Sequence, residues 1–431
     1  MAKFEQLRYN LSWKGGEIKM QRAVKIRLLP TKEQEMLFWK SAGTARWAYN
    51  YFLDANEQAY REGRRITEGE VRKYINNVLK KTTHTWLKEV GSNVMKQGVK
   101  DAALALQRYI KGISGKPRFK SRRKSKISFY VNYESLKRAA NGFQGEKIGF
   151  VKTAVALPKI SKDKKYANPH ISFDGKHWYL SIGYEIEPEQ AELTGESIGI
   201  DLGVKGLAIV SNQDASRTKF YKNINKSAKV RRLEKKLRRE QRKVSRKLEA
   251  NIKSHGKNRR PIWKRPLREC RNIQRQNHRI RLLHKRLTDI RNNYLHQTTA
   301  EIVKTKPSQI VMEDLNVKGM MKNKHLAEAI AKQKFYEFKR QIQYKAEKYG
   351  IKVVEVDRFY ASSKTCSQCG HVKKDLKLSD RIYVCPVCGA KLDRDLNAAI
   401  NLANYNAVVQ VLPKAKYPNG VSTGNACHKT A

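Results

Sequence analysis

The chain has 431 residues and 40% hydrophobic content, enough to bury the cores of two or three domains. Lys and Arg total 91 against 39 Asp and Glu, a formal net charge of +52, and such a chain repels itself unless a polyanion neutralises it. Six cysteines, four of them in two C-x2-C pairs, exclude a disulfide framework at this size, and no apolar run reaches the length of a membrane span or a signal-peptide core.

Residues 1–19 are polar and read as an N-terminal extension. The alternation Arg22-Ala23-Val24-Lys25-Ile26-Arg27-Leu28 predicts a half-buried strand that Pro30 stops. Thr31 with Gln34 forms a capping box for a helix running through Phe38, Trp47 and Phe52, and helical patterning continues over 70–79 and 92–109. The aromatic residues Trp39, Trp47, Tyr49 and Phe52 stand at helical spacing and read as core, with stacking on bases as the alternative. After a basic linker at 115–123, strand patterns over 127–133, 147–150 and 153–157 precede a hairpin signal, 171–173 and 178–182 around Asp174-Gly175. Segments 20–30 and 115–188 are therefore expected to form one antiparallel β barrel or sandwich interrupted by helices, and the acidic stretch 188–196 to divide the chain.

The second part opens with two predicted strands around a tight turn, Ile198-Gly199-Ile200-Asp201-Leu202-Gly203 and then 207–210. Two long, very basic helices are expected over 227–250 and 274–304, joined by a loop at 254–261. A charge run is usually a solvated face, but at this density contact with phosphates is the expectation. A buried strand at 309–312 ends in Glu313-Asp314, and a helix at 326–349 leads to a strand at 352–356. Periodicity is lost after Leu402, and 413–431 reads as a disordered tail.

Cys366, Cys369, Cys385 and Cys388 are spaced C-x2-C, fifteen residues, C-x2-C. Two such turns bring four thiolates to tetrahedral reach, a closed structural Zn²⁺ site with no open position. His371 reads as a loop residue, and Cys270 and Cys427 as ordinary reduced thiols. Just beyond the fourth cysteine runs Lys391-Leu392-Asp393-Arg394-Asp395-Leu396-Asn397-Ala398-Ala399. Asp393 is the natural N-cap of a helix, and Asp395, inside its first turn, the better metal ligand.

Two further carboxylates match that one in character. Asp201 ends a strand between Gly199 and Gly203, small residues that would let a phosphate backbone come close; a turn-capping Asp is the plainer alternative. Glu313 ends the buried strand, and Asp314 would point to the opposite side. Three carboxylates from three segments are what a two-metal phosphodiesterase requires, with hard Mg²⁺ ions held by oxygen.

These motifs, Ile198-Gly199-Ile200-Asp201-Leu202-Gly203, Ile310-Val311-Met312-Glu313-Asp314-Leu315, the four-cysteine unit and Asp393-Arg394-Asp395-Leu396-Asn397-Ala398-Ala399, resemble the three RuvC motifs and zinc ribbon of the TnpB family. That family consists of RNA-guided endonucleases of IS200/IS605-type transposons, similar to compact type V CRISPR effectors. The resemblance implies a multidomain α+β and α/β chain. A β-barrel wedge domain (20–30 and 115–188) would carry a helical recognition domain (31–114). An RNase H-like RuvC nuclease domain (196–361 and 391–412) would hold an inserted zinc ribbon (362–390). Carried over by position, the catalytic triad is Asp201, Glu313 and Asp395, with two Mg²⁺ ions.

The partners implied are a guide RNA transcribed from the transposon end and double-stranded target DNA beside a short motif, with no membrane; the oligomeric state is left open, a monomer being favoured. A prokaryotic cytoplasmic, nucleoid-associated location follows. Two other readings stay open at this point: an RNA-guided DNA binder that does not cut, and a DNA-strand-transfer transposase.

Overall fold

The computed structural model describes residues 9–14, 17–122, 125–161, 164–186, 191–357, 360–377 and 379–405. The expected tail at 413–431 and Cys427 lie outside the described residues. The chain divides into two compact units, one of residues 1–189 with 228–293 and one of residues 190–227 with 294–431. No described helix is long and apolar enough to cross a membrane.

The first unit opens with β1 (Tyr9–Lys14) and β2 (Glu17–Arg27), paired antiparallel, so part of the expected N-terminal extension is a strand. Helix α1 (Lys32–Arg61) starts on the expected capping box: Gln34 N–H donates to Thr31 Oγ1 at 3.3 Å and Thr31 N–H to Gln34 Oε1 at 3.1 Å. Helices α2 (Glu68–Tyr74) and α3 (Ser92–Ile110) pack with it around Tyr49, Phe52, Leu53, Val71, Ile75 and Val99. Tyr49 and Phe52 are therefore core, not stacking platforms.

Strands β3 (Ser128–Tyr130), β4 (Lys137–Ala139), β5 (Gly142–Gly145) and β6 (Gly149–Lys152) follow, then the hairpin β7 (Ala167–Phe173) and β8 (Trp178–Ile186). Gly175 turns that hairpin at φ +98°, and the Asp174 carboxylate accepts from Lys176 N–H and His177 N–H. These strands do not close a barrel. They form an open five-stranded sheet, β1-β2-β8-β7-β3, and a separate three-stranded sheet, β4-β5-β6. An isolated bridge between Leu28 and Thr153 links the two. Closure fails because β3 is only three residues long and pairs with β7 alone, which leaves β1 and β3 as edges. Val24, Ile26, Leu28, Phe129, Phe143, Trp178 and Leu180 share one core, onto which Phe38 of α1 packs.

Next in the chain come β9 (Thr194–Leu202), β10 (Gly206–Asn212) and β11 (Lys219–Lys222), consecutive and antiparallel, in the second unit. Helix α4 (Ala228–Ala250) buries Val230, Leu233, Leu237 and Val244, one stripe at helical spacing, and leaves its Lys and Arg outside. The segment expected as a plain loop is a small hairpin, β12 (Ile252–His255) with β13 (Pro261–Trp263). Helix α5 (Arg271–Lys304) follows and is shared between the units. Buried Glu240 accepts from Gln276 and pairs with Lys243, while Glu234 pairs with Arg291, fixing α4 against α5.

The second unit continues with β14 (Pro307–Glu313), α6 (Val317–Met320), α7 (Ala327–Gln333), α8 (Phe335–Lys348) and β15 (Lys352–Val356). The single helix expected over 326–349 breaks at Lys334, whose φ is +57°. The break sets Gln333 to donate to the carbonyls of Gly203, Val204 and Gly206, which holds the β9–β10 turn. Strands β16 (Ile382–Val384) and β17 (Lys391–Asp393) and helix α9 (Arg394–Ala403) complete the description. The main sheet runs β11-β10-β9-β14-β15, with β14 parallel to both β9 and β15.

Candidate active site and metal centre

Alternation along a strand sorts the central residues of the main sheet onto two faces. Ile198, Ile200, Ile310 and Met312 belong to a core with Leu295, Ile302, Phe338 and Ile342 of α5 and α8. Gly199, Asp201, Val311 and Glu313 therefore share the opposite face, where Val311 packs with Leu402 of α9. Met312 pairs with Ile200, so the next residues, Glu313 and Asp201, end adjacent strands side by side.

Gly199 is what lets α9 lie on this face. A Cβ built there would stand 2.0 Å from the Ala399 carbonyl oxygen and 2.4 Å from Ala403 N. The glycine serves helix packing rather than the approach of a phosphate backbone expected from the sequence. With α9 seated on Gly199, its first turn delivers Asp395. The Asp393 carboxylate accepts from the N–H groups of Asp395 and Leu396 at 2.9 and 3.2 Å, the N-cap arrangement.

Asp201, Glu313 and Asp395 are thereby brought into one electrostatic group. The Asp201 carboxyl is pushed up to about 8, first by burial and then by the negative charges of Glu313 and Asp395; Arg394 opposes the shift. Arg394 pairs with Asp395 at 3.2 Å. A buried carboxyl raised further by two carboxylate neighbours marks a site short of positive charge, and oxygen donors of this kind suit a hard divalent cation. Asp314 faces away, as expected, paired with Lys339 at 3.3 Å.

Three residues that sequence reasoning missed connect this site to the cysteine unit. The Ser362 hydroxyl, buried at 3% exposure, donates to Glu313 Oε1. Asn397 and Asn401 sit four residues apart on the buried face of α9. Asn401 Nδ2 donates to the carbonyls of Ser362 and Thr365 at 2.7 and 2.6 Å, and Asn397 Nδ2 to Thr365 O at 2.6 Å. Ser367 N–H donates back to Asn397 Oδ1 at 2.9 Å. The spacing of two asparagines on an otherwise apolar helix face was the available signal. One strip of chain, 362–367, is thus tied both to Glu313 and to the helix that carries Asp395.

That strip enters the metal knuckle. Cys366, Cys369, Cys385 and Cys388 bring their sulfurs within 4.8 Å of one another, the one such group among the described residues. The Cys366–Cys388 and Cys369–Cys385 separations of 3.6 and 3.5 Å approach the roughly 3.8 Å edge of a tetrahedron with Zn–S of about 2.3 Å. Each pair closes a tight turn on a left-handed glycine, Gly370 at φ +76° and Gly389 at φ +70°, whose N–H groups donate to Cys366 O and Cys385 O. The N–H groups of Cys388 and Val387 hold the Cys385 thiol down, while Cys369 in the same cluster is pushed up. His371 contributes its carbonyl to Cys366 N–H, a loop role. Cys270 is a free thiol.

The chain is similar to known proteins over most of its length. Three family models match it: "Helix-turn-helix domain" of OrfB IS605 proteins at residues 20–65, "Probable transposase" of OrfB IS605 proteins at 181–324, and "Cas12f1-like, TNB domain" at 335–402. The first of these stretches is here a strand followed by one long helix. A Streptomyces pristinaespiralis protein named "Putative RNA-guided DNA endonuclease" is 29% identical over 390 residues, covering 89% of each chain. "TnpB-like protein L770" of Acanthamoeba polyphaga mimivirus is 26% identical, covering 88% of this chain and 72% of its own. Among solved structures, the Cas12f1–sgRNA–target DNA complex aligns over 89% of this chain and 99% of its own, with 17% identity and a TM-score of 0.35. Motifs, full-length relatives and family models agree: over most of its length the chain is similar to the TnpB proteins of IS605-type elements.

Proposed function

We propose that the protein is an RNA-guided DNA endonuclease that cuts double-stranded target DNA at one RuvC-type site built from Asp201, Glu313 and Asp395. The observation that carries this reading is geometric: Asp201 and Glu313 stand side by side on adjacent strands, and the helix whose first turn carries Asp395 packs on the same face. The strand order β11-β10-β9-β14-β15 supports an RNase H-like core, and a net charge of +52 suits a guide, a heteroduplex and a displaced strand. The S. pristinaespiralis relative, named for this activity, aligns with nearly the whole chain. Base pairing by a transposon-encoded guide would select the target, and the protein would read a short adjacent motif from duplex DNA.

Asp201, Glu313 and Asp395 would hold two Mg²⁺ ions, which supply a deprotonated water and stabilise charge on the phosphate. The protein's own groups do the rest. Asp201 releases its proton to solvent on loading, the Ser362 hydroxyl orients Glu313, and α9 fixes Asp395. The water oxygen bonds to phosphorus as the bond to the 3′-oxygen breaks; one water proton goes to solvent and the leaving oxygen takes a proton. The products are a 5′-phosphate and a 3′-hydroxyl. The zinc knuckle would be structural, holding the strip that connects Glu313 to α9.

Co-expression of the protein with its transposon end, sequencing of the RNA that copurifies and assay of a matched duplex test this reading. Guide RNA and free cut ends are expected. Absence of bound RNA overturns the guided readings, and joined DNA products favour strand transfer.

A further inference from the structure

Beside the carboxylates lies a cavity of about 600 Å³ whose lining runs from Asp201 and Asp395 past Ile209 and Phe220 to Lys222 and Lys226. We propose that it is a nucleobase pocket, in which the Phe220 ring stacks on the base of an unpaired nucleotide next to the phosphate being cut. The proposal rests on the nuclease reading above and adds to it a residue, Phe220, that holds the nucleotide beside the phosphate being cut.

The sheet register supplies the first argument. Asp201 pairs with Ile209 and Ile209 with Phe220, so the three form one cross-strand row. Directly opposed residues of antiparallel strands share a face. Phe220 therefore stands two strand spacings from Asp201, about 10 Å, on the side where the carboxylates face. That is the reach of one nucleotide from its phosphate to its base.

Exposure supplies the second. Phe220 is 56% exposed on β11, an edge strand of four residues, in a row whose other end is the catalytic group. A large apolar ring left open beside a polar site suits a flat, apolar-faced ligand that also carries charge.

Charge on the rim supplies the third. Lys205, Lys222 and Lys226 line the cavity, and among the described residues none of them forms an ion pair with a carboxylate. The wall that carries them is tied down: Tyr294 OH donates to Lys222 O at 2.7 Å, Asn223 Nδ2 to Val204 O at 2.9 Å, and Lys226 Nζ to Lys205 O at 3.0 Å. A ring in the pocket and cations at its lip match base and backbone of single-stranded nucleic acid, because every base offers a π face. A paired base is buried in its own stack, so the pocket engages the strand only after unpairing.

The test compares the reconstituted protein–RNA complex of the parent, Phe220→Ala and Phe220→Tyr on targets with one abasic nucleotide at each position flanking the cut. Phe220→Ala should slow cleavage about tenfold, with Phe220→Tyr close to the parent. One abasic position should slow the parent by a similar factor and leave Phe220→Ala no slower than on intact DNA. Parental rates for Phe220→Ala, or full additivity of the two changes, overturn the pocket. If the parent cuts nothing, the nuclease reading fails instead, and the pocket is judged by a 2-aminopurine single strand. The pocket predicts quenching by the parent and not by Phe220→Ala; absence of quenching by the parent overturns it.

Discussion

Replacing Gly199 with alanine tests the geometry that delivers Asp395. The new Cβ would sit 2.0 Å from the Ala399 carbonyl oxygen, short of ordinary contact at 3.4 Å by about 1.4 Å; the other two atoms in the way are Ala403 N and Leu402 Cβ, both fixed by the helix backbone. No side chain can rotate aside, so α9 must lift off β9 by roughly that distance. Overpacking of this kind costs about 1–3 kcal/mol. The same displacement carries Asp395 away from Asp201 and Glu313, and misplacement of a catalytic group by 1 Å can cost about a hundredfold in rate. Gly195→Ala on the same strand is the control, because a Cβ there meets nothing within 4 Å. Guided cleavage and thermal unfolding, measured for both variants, should show a large loss of rate and a lowered Tm for Gly199→Ala and near-parental values for Gly195→Ala. A Gly199→Ala protein with parental rate and Tm would refute the packing argument.

Three more predictions follow from the same contacts. Because the folded Asp201 carboxyl is raised to about 8 from an ordinary 3.8, the unfolded chain ionises first as pH rises, and folding of the magnesium-free protein weakens between about pH 4 and 8. Asp201→Asn removes that loss, so its Tm should exceed the parent's by an amount that grows from pH 5 to pH 8; an advantage that shrinks over this range contradicts the assignment. Ser362→Ala removes the hydroxyl donor to Glu313 and should weaken Mg²⁺ binding, read by calorimetry, about tenfold, with Ser362→Thr recovering part of it; unchanged affinity sinks the positioning role. Cys385→Ser should lose one equivalent of zinc by elemental analysis together with cleavage, since the 362–367 strip loses its anchor; full cleavage by a zinc-free protein would separate the knuckle from the site.

What the sequence disclosed depended on how local the cause was. The knuckle was legible because its geometry lies within two C-x2-C turns and the glycines after them. The Thr31–Gln34 capping box and the Asp174-Gly175 hairpin are likewise local hydrogen-bond patterns, and both stand as expected. Strands β4 and β5 were missed because three and four residues, the latter with a glycine at each end, carry no period to detect. The break at Lys334 has no glycine or proline to mark it, and the β9–β10 turn that Gln333 bonds beside it lies about 130 residues earlier in the chain. Ser362 gains its meaning only from Glu313, forty-nine residues earlier in the chain. Gly199 was noticed for its small size and given the wrong neighbour, since only the fold reveals that a helix, not a phosphate, fills the space.

The central claim is that Asp201, Glu313 and Asp395 form one hydrolytic metal site served by a guide RNA. The most direct measurement loads the parent and the Asp201→Ala, Glu313→Ala and Asp395→Ala variants with the copurified guide, then follows binding and Mg²⁺-dependent cleavage of a matched duplex. The account predicts that all four bind the duplex and only the parent cuts it. Cleavage surviving any one of the three substitutions would contradict it.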